Sequence, residues 1–179
     1  MLRRTIAIAA AVLAVSTPAL AQRQNLQVFR DVQKQVLRYP HFTIFDSVNA
    51  QIDDGVVVLT GKVTMEHKRT DIERRVSRVD GIRRVENRLD VLPASSFDDQ
   101  LRYAIARAIY GNPAFRGYLS RVNAPIHIIV ERGRVTLEGV VNSEVDRMLA
   151  RSIASSFPAF ELRNELKTDA EVQEELEKI

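Results

Sequence analysis

The segment DGVVVLTGKV at residues 54–63 returns 78 residues later as RGRVTLEGVV at residues 132–141. Both segments have the form Gly-x-Val-x-Leu-x-Gly-x-Val, so four of the seven glycines in the chain fall at matching positions. Self-similarity of this kind indicates two copies of one structural unit. Further matches flank the two segments: VENRL at 85–89 with LRNEL at 162–166, and PHF at 40–42 with PAF at 113–115.

The repeat predicts the domain organisation. We place a first unit at residues 25–92, a linker at 93–96, a second unit at 97–168 and an acidic tail at 169–179. The offset between the copies drifts from 73 to 78 residues, which predicts an insertion before the strands of the second copy. Units of about 70 residues bury only around 60 % of their unfolded surface, so we expect packing between the copies to add stability.

Each unit has the same order of predicted elements. Apolar residues at helical spacing open it, a proline (Pro40 or Pro113) ends that helix, and two alternating strands meet at a tight turn. A second helix and a last strand follow. We therefore predict an α+β fold of two tandem α-β-β-α-β units, each with two helices packed on one face of a small three-stranded sheet. The apolar faces of the two opening helices comprise Phe29, Val32 and Val36, and Phe97, Leu101, Ile105 and Ile109.

The repeated glycines have predicted structural roles. Gly55 and Gly133 lie at the turn between the two alternating strands, where glycine favours a tight hairpin. Gly61 and Gly139 lie inside a strand on its inward side, which usually marks a bulge or the close approach of a neighbour. We expect that neighbour to be the second helix of the unit.

Residues 1–21 have the pattern of a secretory signal peptide. A basic start, MLRR, precedes an apolar run at residues 6–15, and Ala19-Leu20-Ala21 has the small-x-small form that signal peptidase cuts. The run is too short to cross a membrane. We therefore expect cleavage after Ala21, a periplasmic protein and no transmembrane span in the mature form; the alternative is a buried apolar helix.

Composition excludes several classes of function. The 179 residues contain no Cys, which removes thiolate nucleophiles, Cys-ligated zinc, iron–sulfur clusters and disulfides. The formal charge of +3 falls to +1 once the two arginines of the signal peptide are removed. The basic precursor is therefore no evidence of nucleic-acid binding, and we predict no nucleic-acid partner.

The motifs resemble those of the BON domain of bacterial envelope proteins. The resemblance rests on Gly-x-Val-x-Leu-x-Gly-x-Val, the charged start of the second helix and the short Val-x-Asn-x-Leu strand, and it covers nearly all of the mature chain. It implies an α+β domain, often in tandem behind a signal peptide. The usual role of the family is binding of phospholipid or other envelope components, without catalytic residues.

The sequence shows no pattern typical of catalysis or metal binding. His41, His67 and His127 are far apart in sequence, and we expect His67 and His127 to be solvated surface side chains. A phosphate-binding loop, a nucleophile elbow and a calcium loop are all absent. We predict no enzymatic activity, no catalytic residues, no metal and no cofactor.

The charge pattern gives a candidate site. Residues 74–88 contain six arginines against two acids, a local net charge of +4, whereas the tail at 169–179 has a net charge of −4. At roughly 1 kcal/mol per basic residue near an anionic surface, a net charge of four gives about millimolar affinity. The candidate ligand-binding residues are Arg74, Arg75, Arg78, Arg83, Arg84 and Arg88.

Three interpretations of this basic stretch compete. It could be a solvated face with local ion pairs, a contact for anionic lipid or polymer, or a surface that the acidic tail covers as a latch. Outward apolar residues could mark packing between the two units, and the aromatic residues of the insertion could form an interfacial contact or close the core. The apolar residues are Val56, Val58, Ile129 and Val140, and the aromatic residues are Tyr110, Phe115 and Tyr118.

The sequence thus favours a non-enzymatic periplasmic protein. The leading hypothesis is peripheral, reversible contact with an anionic phospholipid or other envelope surface through the basic stretch. The alternative is a protein-interaction or stress adaptor, in which outward apolar residues bind an envelope protein partner or a second copy of the chain.

Overall fold

The structure, a computed structural model, describes residues 18–119 and 123–177. The first unit contains helix α1 (Pro18–Leu37), strands β1 (Ser47–Asp53) and β2 (Val56–Val63), helix α2 (Glu66–Val76) and strand β3 (Arg84–Val91). Its sheet has the order β1-β2-β3, with β1 antiparallel and β3 parallel to β2. The predicted order of elements is therefore confirmed for this unit.

The second unit repeats this topology. It contains helix α3 (Ser96–Gly111), a 3₁₀ turn (Pro113–Phe115), helix α4 (Arg116–Leu119), strands β4 (Ile126–Glu131) and β5 (Arg134–Val141), helix α5 (Glu144–Ala154), strand β6 (Glu161–Thr168) and helix α6 (Asp169–Glu177). Its sheet order is β4-β5-β6, again with one antiparallel and one parallel pairing. The predicted α+β fold of two tandem units is confirmed. The 3₁₀ turn and α4 stand between α3 and β4, where the sequence predicts the insertion.

Each unit has its own hydrophobic core between helices and sheet. In the first unit Val32, Leu59 and Ile72 are at most 1 % exposed, which places α1, β2 and α2 around one core. In the second unit Ile105 and Leu137 are fully buried in the same way. Phe97 is an exception: the helical pattern predicts it inside, but it lies in the first turn of α3 and is 49 % exposed.

The hairpin turns have the geometry that their glycines predict. Asp54 and Gly55 both have positive φ angles, 43° and 73°, and Arg132 and Gly133 have 52° and 73°. Two consecutive positive φ angles favour a two-residue turn whose twist matches the flanking strands. The turns therefore fix the register of both β1–β2 and β4–β5.

The neighbour of the strand glycines differs from the predicted one. A Cβ on Gly61 would overlap the carbonyl oxygen of Ser47, and a Cβ on Gly139 would overlap that of Pro125. Both glycines also have φ values that side chains rarely adopt, +123° and +116°. The close neighbour is thus the backbone at the start of the paired antiparallel strand and not the second helix, since Gly61 is paired with Val48 and Gly139 with Ile126.

The aromatic residues of the insertion belong to the core. Phe115 is fully buried and Tyr118 is 2 % exposed, while the Tyr110 hydroxyl donates to the Ile126 carbonyl at 2.6 Å. The hypothesis of an interfacial aromatic contact is therefore wrong. These rings fill the space that the insertion opens beside α3.

Residues Asp169–Glu177 of the acidic tail form α6, which packs on its own unit. Glu171 binds Arg147 at 3.0 Å, and Glu175 binds Lys167 at 2.7 Å. The backbone N–H of Thr168 donates to Glu171 at 2.7 Å and fixes the start of the helix. The latch hypothesis is wrong for these two carboxylates, because their partners lie in the second unit and not in the basic stretch of the first.

The two units meet along the segment that precedes β1. The carbonyl oxygen of Ile44 accepts a hydrogen bond from the backbone of Ile128 at 2.7 Å, and Phe45 packs edge-on against Tyr103 with ring centroids 4.9 Å apart. Ile129, on the outward side of β4, is only 3 % exposed. The outward apolar residue is thus buried, as expected if the units pack on each other.

Asp46 is the buried centre of this junction. Its carboxylate is fully buried, binds the Lys68 ammonium at 2.7 Å and accepts hydrogen bonds from the backbone and hydroxyl groups of Thr43 and Thr64. Burial raises the pKa of the Asp46 carboxyl, but the hydrogen bonds from Lys68, Thr64 and Thr43 outweigh burial and hold that pKa below its usual value of 3.8. Asp46 is therefore ionised at neutral pH and ties the junction segment to β2 and α2.

Within residues 18–119 and 123–177, no helix has both the length and the apolar character that crossing a membrane requires. The apolar run of the predicted signal peptide, residues 6–15, lies outside the described residues.

Candidate functional site

The structure divides the six candidate arginines into two groups. The strand group, Arg83, Arg84 and Arg88, lies on or just before β3. Arg84 and Arg88 share Glu86, at 3.3 and 2.7 Å, and the Arg83 guanidinium bonds to the carbonyl oxygen of Asp54 at 3.0 Å. Arg83 also pairs with the Asp54 carboxylate. Local carboxylates therefore offset most of the charge of this group.

The helix group, Arg74, Arg75 and Arg78, lies at the end of α2 and in the turn after it. These residues line a cavity of about 370 Å³, together with Tyr39, Asp71 and Gln35. The only carboxylate among these lining residues is Asp71, which Arg74 contacts at 3.1 Å. The helix group therefore forms a concave surface with a positive net charge, between the end of α1 and α2.

Tyr39 organises this concave surface. Its hydroxyl donates to Asp71 at 2.9 Å, and the Arg75 guanidinium lies over its ring, 5.1 Å from the centroid. Burial, followed by the hydrogen bond to Asp71 and the charge of that residue, raises the pKa of Tyr39 to about 12. The phenol therefore stays protonated at neutral pH, and its ring holds Arg75 in place by a cation–π contact.

The sequence analysis missed a second basic group beside the first. Arg30 and Lys34 lie on α1, and Arg38 directly follows it with its N–H bonded to the Lys34 carbonyl at 3.0 Å, so the spacing of four residues places the three on one side of the helix. They line a larger cavity, of about 680 Å³, which has Tyr39 as a common wall with the first. The signal was present as basic residues at i, i+4 and i+8, but these three are spread over nine residues that also include Asp31, so a count of net charge does not single them out.

Together the two groups form what we call the α1–α2 basic surface: Arg30, Lys34, Arg38, Arg74, Arg75 and Arg78. Among the described residues that line the two cavities, these six cations are accompanied by one carboxylate, Asp71. The second unit does not repeat the α2 half, since the positions 78 residues after the three arginines hold Ser152, Ile153 and Ser156. The asymmetry places the candidate site in the first unit.

A side-chain hydrogen bond positions α2 over the sheet. The amide of Asn87, on the inward side of β3, donates to the Arg69 carbonyl at 3.0 Å and to Glu73 at 2.9 Å. In the second unit, Asn164 donates to the Arg147 carbonyl at 3.0 Å. The repeated asparagine thus ties the second helix of each unit to the last strand.

The histidines differ in part from the prediction. His67 is exposed, as expected, and its ring lies 6.0 Å from that of His41. His127 is partly buried at the junction, where its Nδ1 lies 2.6 Å from the Asp46 carbonyl oxygen, so the prediction of a solvated side chain is wrong. Parity along β4 places His127 on the outward face, but that face is covered by the first unit.

Within the described part of the chain, no group of three or more His, Asp or Glu is arranged to hold a metal ion.

Comparison with protein families identifies both units. The family model of the BON domain matches residues 27–93 and again residues 98–175. The chain belongs to the BON domain family. The two matches establish a tandem BON-domain protein, a type of module associated with the bacterial envelope and generally non-catalytic. No curated protein matches the chain.

Solved structures add a fold-level likeness only. Two structures of CdsD, described as a structural protein of the type III secretion system of Chlamydia trachomatis, are 14 % and 11 % identical to the chain. The matches cover 86 % and 84 % of this BON protein and 70 % and 97 % of the CdsD chains, with TM-scores of 0.32 and 0.31. At these scores the likeness carries no argument about function.

Proposed function

We propose that this tandem BON protein is a non-enzymatic periplasmic protein that binds anionic phospholipid surfaces through the α1–α2 basic surface. The observation that carries the proposal is the pair of adjoining cavities with six basic side chains and one carboxylate. Guanidinium groups donate several hydrogen bonds in a fixed geometry that suits phosphate oxygens. The signal-peptide pattern of residues 1–21 supports export, with cleavage after Ala21.

We propose unequal roles for the six arginines of the sequence hypothesis. Arg74, Arg75 and Arg78 line the first cavity, whereas Arg83, Arg84 and Arg88 are engaged with Asp54 and Glu86. We therefore propose the helix group as phosphate ligands, with Arg30, Lys34 and Arg38 as added cations. A net charge of five corresponds to about 5 kcal/mol at an anionic surface, which makes attachment reversible.

The alternative function, an adaptor that binds a partner through outward apolar sheet residues, has less support. Ile129 is 3 % exposed, and Val140 lines the cleft between the two units. Ile129 therefore offers little free surface to a partner, and Val140 faces the cavity between the units.

Vesicle binding over a salt series tests the proposal. The protein should sediment with phosphatidylglycerol vesicles and not with phosphatidylcholine vesicles, because the contact is between cations and phosphate charge. Its affinity should fall steeply between about 50 and 500 mM salt, as screening shortens the range of these charges. Equal binding to both lipids, or binding that salt does not change, would contradict the proposal.

A further inference from the structure

A third cavity lies between the two units and adjoins the α1–α2 basic surface, since the larger cavity of that surface shares the lining residues Gln33, Leu37, Phe42 and Asn123 with it. Its volume is about 410 Å³, within the usual range of small-molecule sites. Apolar side chains of α1 and β1, including Phe29, Val36 and Val48, form one wall, and Pro125 and Val140 of the second unit form the other. The cavity can therefore enclose a short apolar chain.

Polar groups meet at one side of this cavity. Ser47, His127 and Glu138 all line it, and His127 and Glu138 are directly opposite each other on β4 and β5. The Ser47 hydroxyl donates to the Glu138 carboxylate. A cavity with apolar walls and a few converging polar groups is the usual form of a ligand site.

His127 offers a hydrogen-bond acceptor to the cavity. A backbone carbonyl oxygen can only accept, so the Nδ1 atom that contacts the Asp46 carbonyl must carry a proton. Burial lowers the pKa of His127, and the contacts with Asp46 and Thr43 do not reverse this effect, so the ring is neutral at pH 7. With the proton on Nδ1, the neutral ring carries its lone pair on Nε2.

Glu138 offers a carboxylate that lacks a bonded cation. Its one hydrogen bond from a described residue comes from Ser47, while Lys62, the nearest ammonium to act on it, is bound to Glu131 at 2.5 Å. The residue opposite Glu138 on β6 is Glu165, a like charge. Burial raises the pKa of the Glu138 carboxyl, and the charge of Glu165 adds to this increase, so a cation in the cavity would relieve an unfavourable arrangement.

We propose that the cavity between the units binds an aliphatic primary ammonium group. The ammonium would donate to the Glu138 carboxylate and to His127 Nε2, while the alkyl chain contacts the apolar walls. An ammonium supplies three donors and no acceptor, which complements the Glu138 carboxylate, and the amide oxygens of Gln33, Asn49 and Asn123 also line the cavity as acceptors. Carboxylates and phosphates are disfavoured because they would face Glu138, which distinguishes the chemistry of this site from that of the adjoining α1–α2 basic surface.

Such a group could come from a free alkylamine or from a lysine side chain of a peptide. Calorimetric titration of the full chain at neutral pH with hexylamine, hexanol and hexanoate tests the chemistry, and Nα-acetyl-lysine methylamide tests the lysine source. We expect hexylamine to bind about tenfold or more tightly than hexanol and hexanoate not to bind, since hydrogen bonds between charged groups are the stronger kind. Binding of the lysine derivative would indicate that the ammonium group comes from a peptide. If the derivative does not bind but hexylamine does, the source is a free amine.

Two variants and a control complete the experiment. Glu138→Gln should weaken hexylamine binding about tenfold and make it equal to hexanol binding. Val140→Phe should weaken the binding of both, because the larger side chain fills the cavity. Glu161→Gln removes one carboxylate from the same unit outside the cavity and should leave binding unchanged. Equal affinity of the wild-type protein for hexylamine and hexanol, or hexylamine affinity that Glu138→Gln and Val140→Phe leave unchanged, would overturn the proposal.

Discussion

Replacing Lys68 with methionine should lower the free energy of unfolding by about 3–5 kcal/mol. The ammonium of Lys68 is 2.7 Å from a carboxylate that is fully buried. Methionine keeps most of the volume but leaves the charge of Asp46 without its cation in a region from which water is excluded. Calorimetric unfolding of the wild type and the variant at neutral pH measures the difference.

The matched control is Lys62→Met. The Lys62–Glu131 pair is also short, but both side chains are about one-third exposed, so its loss should cost less than about 1 kcal/mol. The hydrogen bonds to Asp46 keep its pKa low in the folded wild type, so that stabilisation is present above pH 3.8 and is lost as the pH falls through the lowered value. Without Lys68 the pKa of Asp46 should rise. Lowering the pH should therefore reduce the difference in the free energy of unfolding between the Lys68→Met variant and the wild type. A Lys68→Met variant as stable as Lys62→Met would contradict this account of the junction.

Replacing Gly139 with alanine should destabilise the second unit by about 4 kcal/mol or prevent it from folding. The added Cβ would overlap the carbonyl oxygen of Pro125, which belongs to the backbone and cannot rotate away, and the φ of +116° is unfavourable for any side chain. Thermal unfolding followed by circular dichroism should show an early transition of the second unit.

Gly111→Ala is the control for this substitution. Gly111 ends α3, and a Cβ there would meet nothing within 4 Å. Because alanine favours helix over glycine, this variant should be as stable as wild type or slightly more stable. If Gly139→Ala and Gly111→Ala unfold at the same temperature, the strand glycine does not have the role that its geometry indicates.

The fold could be predicted because local signals agreed. Two glycines in each hairpin, inward apolar residues at alternate positions and a proline after the opening helix all indicate one unit, and the repeat supplies a second instance of every signal. The wrong partner predicted for Gly61 and Gly139 has a physical reason. Sequence shows that a side chain is missing from a strand, but which residue of the neighbouring strand lies against the glycine depends on the register of the pairing.

The contact between the units could not be predicted in the same way. Strand parity correctly places His127 and Ile129 on the outward face of β4, yet parity does not say whether another unit covers that face. Asp46 has no motif around it, and its burial depends on the meeting of Thr64, Lys68 and the second unit. The outward side of a sheet in a two-unit chain therefore remains ambiguous until the units are placed together.

The candidate site was predicted only in part. A count of charge along the chain finds Arg74 to Arg88 as one stretch, but the structure separates it where α2 ends and β3 begins. The count also omits Arg30, Lys34 and Arg38, because these residues are distant in sequence and reach the same surface through the packing of α1 on α2. A surface formed by two helices needs the tertiary structure to be seen.

The most direct test of the central claim compares two triple variants with the same change in charge. One replaces Arg74, Arg75 and Arg78 with glutamine, and the other replaces Arg83, Arg84 and Arg88, with circular dichroism to verify that both fold. At about 1 kcal/mol per cation, the helix triple should bind phosphatidylglycerol vesicles roughly a hundredfold more weakly than wild type, whereas the strand triple should lose less than tenfold. Equal losses in the two variants would show that net charge, and not the α1–α2 basic surface, determines binding, and would contradict the account.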